Sequence, residues 1–323
     1  MLELPAASTH DHAVLADWIE MSVLLESPPS TSRDTIATLL RDTGFIGADK
    51  AEYFQGEDED AYDATFSDSE AADRFTELLW QELHRRRVAL GEGYPFLVGS
   101  ADIALEHDSW RHVAAYLMLL LLDLGRSYRA VMVDIQADTL ESRLFEKIVE
   151  ASARGLLAGP CSRFGWPREP DWPTGIDDRV ARLAQELELS LELLDGKTRP
   201  NDKDRGLDVA GRFSIAGSSE GTMVLLAQCA VGKNWKKKRG EPWIADWRDL
   251  LQWKGFLVRG VAVPWRLSGA WGITRAYRHF DDALILDRPR ILAGAPDRHI
   301  DQNTRRDVEL WCEPRVHLLP VLN

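Results

Sequence analysis

At 323 residues the chain is longer than one small core needs, which predicts two domains. Its 45% hydrophobic and 28% charged residues exclude a fibrous or disordered chain and fit a globular protein. The formal charge of −13 excludes a uniformly basic nucleic-acid coat, yet the charge is divided unevenly.

From Lys197 onward there are 22 Lys+Arg and 15 Asp+Glu, which leaves 17 and 37 in the first 196 residues. The later part is able to face a polyanion that the earlier part repels. The opening MLELPAASTHDH has neither a basic segment nor an apolar segment behind it, so no signal peptide is predicted. Three scattered cysteines without CxxC spacing argue against a disulfide framework or a zinc site, and for a reducing cytoplasm. The longest apolar run, Val113–Leu122, is about half of what a bilayer span needs, so it reads as a buried helix and no membrane association is expected.

The first predicted elements are helical. Leu15, Trp18, Ile19 and Val23 recur at helical spacing, as do Ile36, Leu39 and Leu40. Residues 54–69 read as an acidic loop; an EF-hand is excluded because the central Gly and the terminal Glu are missing. Ser67-Asp68-Ser69-Glu70 has the pattern of a capping box and opens a helix to about Leu90. Further helices are expected near Trp110–Leu124 and Thr139–Leu157, with a short strand at Arg129–Ile135 between them. The Gly-, Pro- and Trp-rich stretch Ala158–Thr174 marks a boundary, giving a mostly helical region 1–160 and a second domain 161–323.

In that domain Asp177 or Asp178 is expected to cap a helix reaching Leu194. Asp208 follows Gly206 at the start of an apolar strand, and a second apolar strand, Met223–Ala227, ends on Gln228. Two neighbouring strands that each deliver an oxygen to one sheet end suit a hard metal ion, and the Cys229 carbonyl offers a third oxygen. The plain alternatives are a solvated turn carboxylate at Asp208 and a buried amide at Gln228 bonded to nearby backbone. After Gln228 come five basic residues in seven, Lys233, Lys236, Lys237, Lys238 and Arg239, around Asn234 and Trp235. They read as phosphate contacts, with Trp235 as a stacking ring, or as a solvated basic loop over a packed Trp235. A Trp-rich helix near Trp243–Trp253 and strands at Phe256–Val263 and Ala283–Leu292 complete the chain. No GxSxG, Walker A, GxGxxG or HExxH pattern occurs, so triad hydrolase, ATPase, Rossmann and zinc-protease readings have no support.

Gly206-Leu207-Asp208 followed by Leu225-Leu226-Ala227-Gln228-Cys229 resembles the Mrr-like branch of the PD-(D/E)xK nuclease superfamily over roughly Asp177–Val263. The resemblance implies an α/β (α+β) restriction-endonuclease-like core with a mixed central sheet. It also implies Mg²⁺ or Mn²⁺ held by Asp208 and Gln228, DNA as substrate, and an anti-phage setting beside an ATPase or sensor subunit. A helix carboxylate often joins the metal in such relatives, and Glu188 is the expected one. The family's lysine falls two residues after the Gln, where this chain has Ala230. Lys233 is the expected replacement if the chain turns at Gly232, whereas Lys236, Lys237 or Lys238 requires the chain to fold back as a helix start. A nuclease fold without catalysis, serving DNA binding or assembly, is the alternative.

Overall fold

The computed structural model describes residues 1–5, 12–43, 68–124, 128, 139–189, 203–215, 221–232, 234–251, 253, 255–267, 272–295 and 300–320. Most of the expected acidic loop and the expected strand at 129–135 lie outside these residues. The chain divides into two compact units, Met1–Asp134 with Glu309–Asn323, and Ile135–Val308. Among the described residues no helix is long and apolar enough to cross a membrane.

The first unit contains helices α1 (His12–Leu25), α2 (Arg33–Asp42), α3 (Asp68–Leu90) and α4 (Ala114–Leu124). Its antiparallel sheet has the order β1-β3-β2, formed by β1 (Ser30–Ser32), β2 (Phe96–Val98) and β3 (Asp102–Leu105). Ser32 caps α2 by accepting from the Thr35 backbone N–H at 3.1 Å. α1 buries its polar residues along with its apolar ones, so those groups need partners. Arg86 of α3 supplies them: it donates to Asp17 at 2.5 Å, Glu82 at 3.0 Å and the Ala13 carbonyl at 2.7 Å. Tyr94 and Tyr116 donate to the two oxygens of Glu20 at 2.7 and 2.9 Å. Burial opposes the Arg86 charge, but Glu20 and Asp17 outweigh it and hold the guanidinium charged.

The second unit is built on a mixed five-stranded sheet of order β4-β5-β6-β7-β8. Its strands are β4 (Cys161–Arg163), β5 (Val209–Arg212), β6 (Met223–Cys229), β7 (Phe256–Ala262) and β8 (Leu284–Leu286). The pairs β4/β5 and β5/β6 are antiparallel, and β6/β7 and β7/β8 are parallel. Its helices are α5 (Thr139–Leu157), α6 (Ile176–Glu186), α7 (Ile244–Leu251), α8 (Ile273–His279) and α9 (Arg288–Gly294); α10 (Gln302–Val316) begins in this unit. Val224 to Cys229 of the central strand β6 are all buried, as an unbroken apolar run between two neighbours requires. Val224, Leu226 and Ala210 pack with Val180 and Leu183 of α6 and Trp247 and Leu250 of α7 in one core cluster. α5 crosses α9 backbone to backbone: a Cβ on Gly155 would lie 1.9 Å from the Gly294 carbonyl oxygen.

Two expected elements differ. α6 starts after Gly175 without a side-chain cap, and Asp177 and Asp178 sit in its first turn, beside the positive end of the helix dipole. It stops at Glu186, and Glu188 is already at φ 55; residues 190–202 are outside the described set. The expected strand 283–292 is a strand only at Leu284–Leu286; Pro289 then sits at the start of α9, where its missing N–H costs nothing.

Candidate active site

The site forms where β5 begins and β6 ends. Val209 pairs with Ala227, so the residue before β5 meets the end of β6. The Asp208 N–H donates to the Ala227 carbonyl at 3.0 Å, and its own carbonyl accepts from Phe164 at 2.7 Å and Gly165 at 3.1 Å. Its backbone is therefore held on both sides. Asp208 Oδ2 accepts from the Cys229 N–H at 2.7 Å and from Gln228 Nε2. That same Nε2 also donates to the Cys229 carbonyl at 3.1 Å. Gln228 Oε1 is left buried and accepts no hydrogen bond among the described residues.

A tight turn leads into Asp208. Leu207 N–H donates to the Asp204 carbonyl at 3.0 Å, with Arg205 at φ 51 and Gly206 at φ 72 between them. Gly206 is required twice, by its left-handed backbone and by space: a Cβ there would stand 3.1 Å from Glu241 and 3.3 Å from Gln228 Oε1.

The carboxylate that joins Asp208 is Glu146 of α5. A Cβ on Gly165 would lie 2.4 Å from Glu146 Oε2 and 3.0 Å from Asp208 Oδ1, so these two oxygens flank one spot. Arg163 Nε stands 2.7 Å from Glu146 Oε2, but its N–H is not aimed at that oxygen; the contact is an ion pair without a hydrogen bond. Burial, then the charge of Asp208, raises the Glu146 carboxyl to about 8, against the pull of Arg163. Burial raises Asp208 to about 6, while Lys238 and the Cys229 N–H pull it down. Two buried carboxyls that resist ionising together lack positive charge between them. Sequence reasoning missed Glu146. Its signal is the flank of the apolar stripe Leu144, Phe145, Ile148, Val149 on the helix just before β4, four residues from Ser142, which lines the same cavity.

The lysine arrives from farther along the chain. Residues Trp235–Lys238 form a 3-10 turn, and Lys238 Nζ donates to the Cys229 carbonyl at 3.1 Å. Lys233 lies outside the described residues. Trp235 is buried, 5.4 Å from Trp265 and 5.5 Å from Phe280 between ring centres, and presents no open face for stacking. The expected basic patch is dispersed. Lys236 rests over the Trp235 ring at 5.7 Å, Lys237 is exposed, Lys238 turns inward, and Arg239 donates to both oxygens of Asp281. Glu188 pairs with Arg212, its side chain 69% exposed, and does not line the cavity.

Among the described residues, a cavity of about 900 Å³ here is lined by five acidic residues, Glu146, Asp204, Asp208, Glu241 and Asp246, against two basic ones, Arg205 and Lys238. Such a balance favours a cation over a bare phosphate. Among the described residues no group of three or more His, Cys, Asp or Glu is placed to hold a metal. The donor set here is mixed: two carboxylates, the unsatisfied Gln228 Oε1 and the Cys229 carbonyl. All are hard oxygen donors, which fits Mg²⁺ or Mn²⁺. The Cys229 carbonyl already accepts from Gln228 and Lys238, so it joins a metal only by exchanging one of these bonds. A scan against family models, a search of curated proteins and a search of solved structures each return no match.

Proposed function

We propose that the second unit is a Mg²⁺- or Mn²⁺-dependent DNA endonuclease with a PD-(D/E)xK restriction-endonuclease-like core of the Mrr-like branch. The observation that carries the reading is the buried Glu146–Asp208 pair with Lys238 Nζ turned into the same cavity. The order of a Glu-bearing helix, an antiparallel β5–β6 pair, α7 and a parallel β7 supports it.

Asp208, Glu146 and Gln228 Oε1 would hold the ion. When bound, a divalent ion supplies Lewis acidity toward the phosphoryl group and the attacking water. Gln228 Nε2 and the Cys229 N–H fix the Asp208 carboxylate, leaving Oδ1 toward Glu146. Lys238, the only lysine among the described residues of the cavity lining, would bring a positive charge to where negative charge develops on the phosphoryl oxygens. An anti-phage role beside an ATPase or sensor subunit, contacted through the acidic first part of the chain, rests on the resemblance alone. The alternative, a nuclease fold that binds DNA without cutting it, draws on Ala230 at the usual lysine position and on the already engaged Cys229 carbonyl.

Plasmid cleavage with Mg²⁺, Mn²⁺ or EDTA, comparing wild type with Asp208→Ala and Glu146→Gln, tests the proposal. Metal-dependent cutting lost in both variants is expected. Salt-sensitive DNA binding without cutting in any metal would leave the non-catalytic alternative.

A further inference from the structure

Of the twelve tryptophans, nine are buried, Trp271 is outside the described residues, and two are exposed: Trp166 at 46% and Trp243 at 61%. Both exposed rings line the acidic cavity. Each is braced from one side. The buried Arg179 guanidinium lies 5.9 Å from the Trp166 ring centre, and the Trp166 backbone N–H, which holds the chain beneath the ring, donates to Asp204 Oδ2 at 3.2 Å. The Trp243 benzo ring rests on Gly240, where a Cβ would meet Cζ2 and Cη2 at 3.3 Å. A large apolar ring kept in water beside a site, while its siblings are buried, calls for a flat partner.

We infer that Trp166 and Trp243 are a stacking platform for unstacked nucleobases beside the scissile phosphate, so that single-stranded or locally unpaired DNA is the preferred substrate. The inference rests on the nuclease reading and deepens it. An indole stacks only on a base whose face is released from its neighbour, which a continuous duplex does not offer. A base carries no charge, so the carboxylates that repel phosphate do not repel it. Stacking is indifferent to base identity, which predicts weak sequence preference.

The test uses the full chain with Ca²⁺ in place of Mg²⁺, titrated with a labelled oligothymidylate and with a duplex of equal length. Anisotropy reads binding and tryptophan emission reads stacking. The single strand is expected to bind about tenfold more tightly than the duplex. Trp166→Ala and Trp243→Ala each lose about tenfold for the single strand with little change for the duplex, while Trp→Phe variants keep most of the affinity. Equal binding of both DNAs, or alanine variants that bind like wild type, overturns the platform; plasmid cleavage by the same preparation shows that the nuclease reading survives. Absence of DNA binding alongside absence of cleavage overturns both. Indole quenching by a trimethyl-lysine peptide but not by DNA also overturns it, because an acidic cavity with two indoles is the other known setting for a quaternary cation.

Discussion

Lys238 Nζ reaches the carbonyl of Cys229 across nine residues, at 3.1 Å, by way of a 3-10 turn. The cation stands beside Asp208, whose carboxyl it pulls downward. Lys238→Ala is therefore expected to slow plasmid cleavage by roughly 10²- to 10³-fold, the usual loss for one charge-stabilising group. Melting temperature should change little, because this side chain is half-buried. Lys233→Ala is expected to keep most of the activity. The reverse result would return the lysine role to position 233.

The carboxyl pair makes stability depend on pH. Each has a folded pKa above its unfolded one, about 8 against 4.5 for Glu146 and about 6 against 3.8 for Asp208. Such a group binds its proton more tightly when folded, so its contribution is complete below the unfolded pKa and is lost as pH rises through the folded value. In EDTA the melting temperature should fall between about pH 4 and about pH 8 from these groups. Mg²⁺ should restore most at the alkaline end, where both carboxylates are charged and the ion supplies their counter-charge. Glu146→Gln should flatten the upper part of the curve. Thermal scans across that range, with and without Mg²⁺, decide it.

Gly165→Ala is a steric probe of the same pair. Its Cβ would press on Glu146 Oε2 at 2.4 Å and Asp208 Oδ1 at 3.0 Å, so the two carboxylates must move apart into the cavity that they line. Overpacking of this kind costs about 1–3 kcal/mol. The more telling expectation concerns function: Mg²⁺ binding measured by calorimetry should weaken by more than the loss of stability suggests.

In the first unit, Arg86→Met leaves Asp17, Glu20 and Glu82 buried without their shared cation. Removing one partner of a buried ion cluster costs about 3–5 kcal/mol. A clear drop in the urea midpoint is expected; a midpoint within error of wild type would mean that the cluster ionises less than its geometry suggests.

Much of the second unit could be read from periodicity. The run Met223–Ala227 is apolar at every position because β6 has neighbours on both sides, and Gln228 ends it at the sheet rim. Gly206 was legible only as the residue ahead of the Asp208 strand, and its φ of 72 makes it part of the turn into that strand. The second carboxylate was not legible. Glu146 precedes Asp208 by 62 positions, and only the packing of α5 along β4 and β5 brings the two together. Glu188 looked nearer in sequence, but the helix ends before it and Arg212 takes its charge. Trp235 misled in a similar way. Tryptophan among lysines suggests a stacking ring, but Trp265 and Phe280, 30 and 45 positions downstream, enclose it, a non-local effect outside any short window. Of the two tryptophans left exposed at the cavity, Trp166 lies in no basic run, and Trp243, four residues past Arg239, shares a helical spacing with Trp247 and Trp253 that reads as core; only Trp247 and Trp253 are buried.

The burial of Trp235 has a mechanical consequence. Asp208 and Gln228 are set in a sheet that cannot yield without unfolding, whereas Lys238 hangs from a single short turn whose first residue is a pin driven into the core. Withdrawing that pin would carry the positive charge away while the carboxylates stayed where they are. The site thus has a stiff half and a removable half, and local opening at residues 235–238 would disarm the protein at a fraction of its global unfolding free energy. Faster amide exchange at these residues than along β6 would be the mark of such a safety catch.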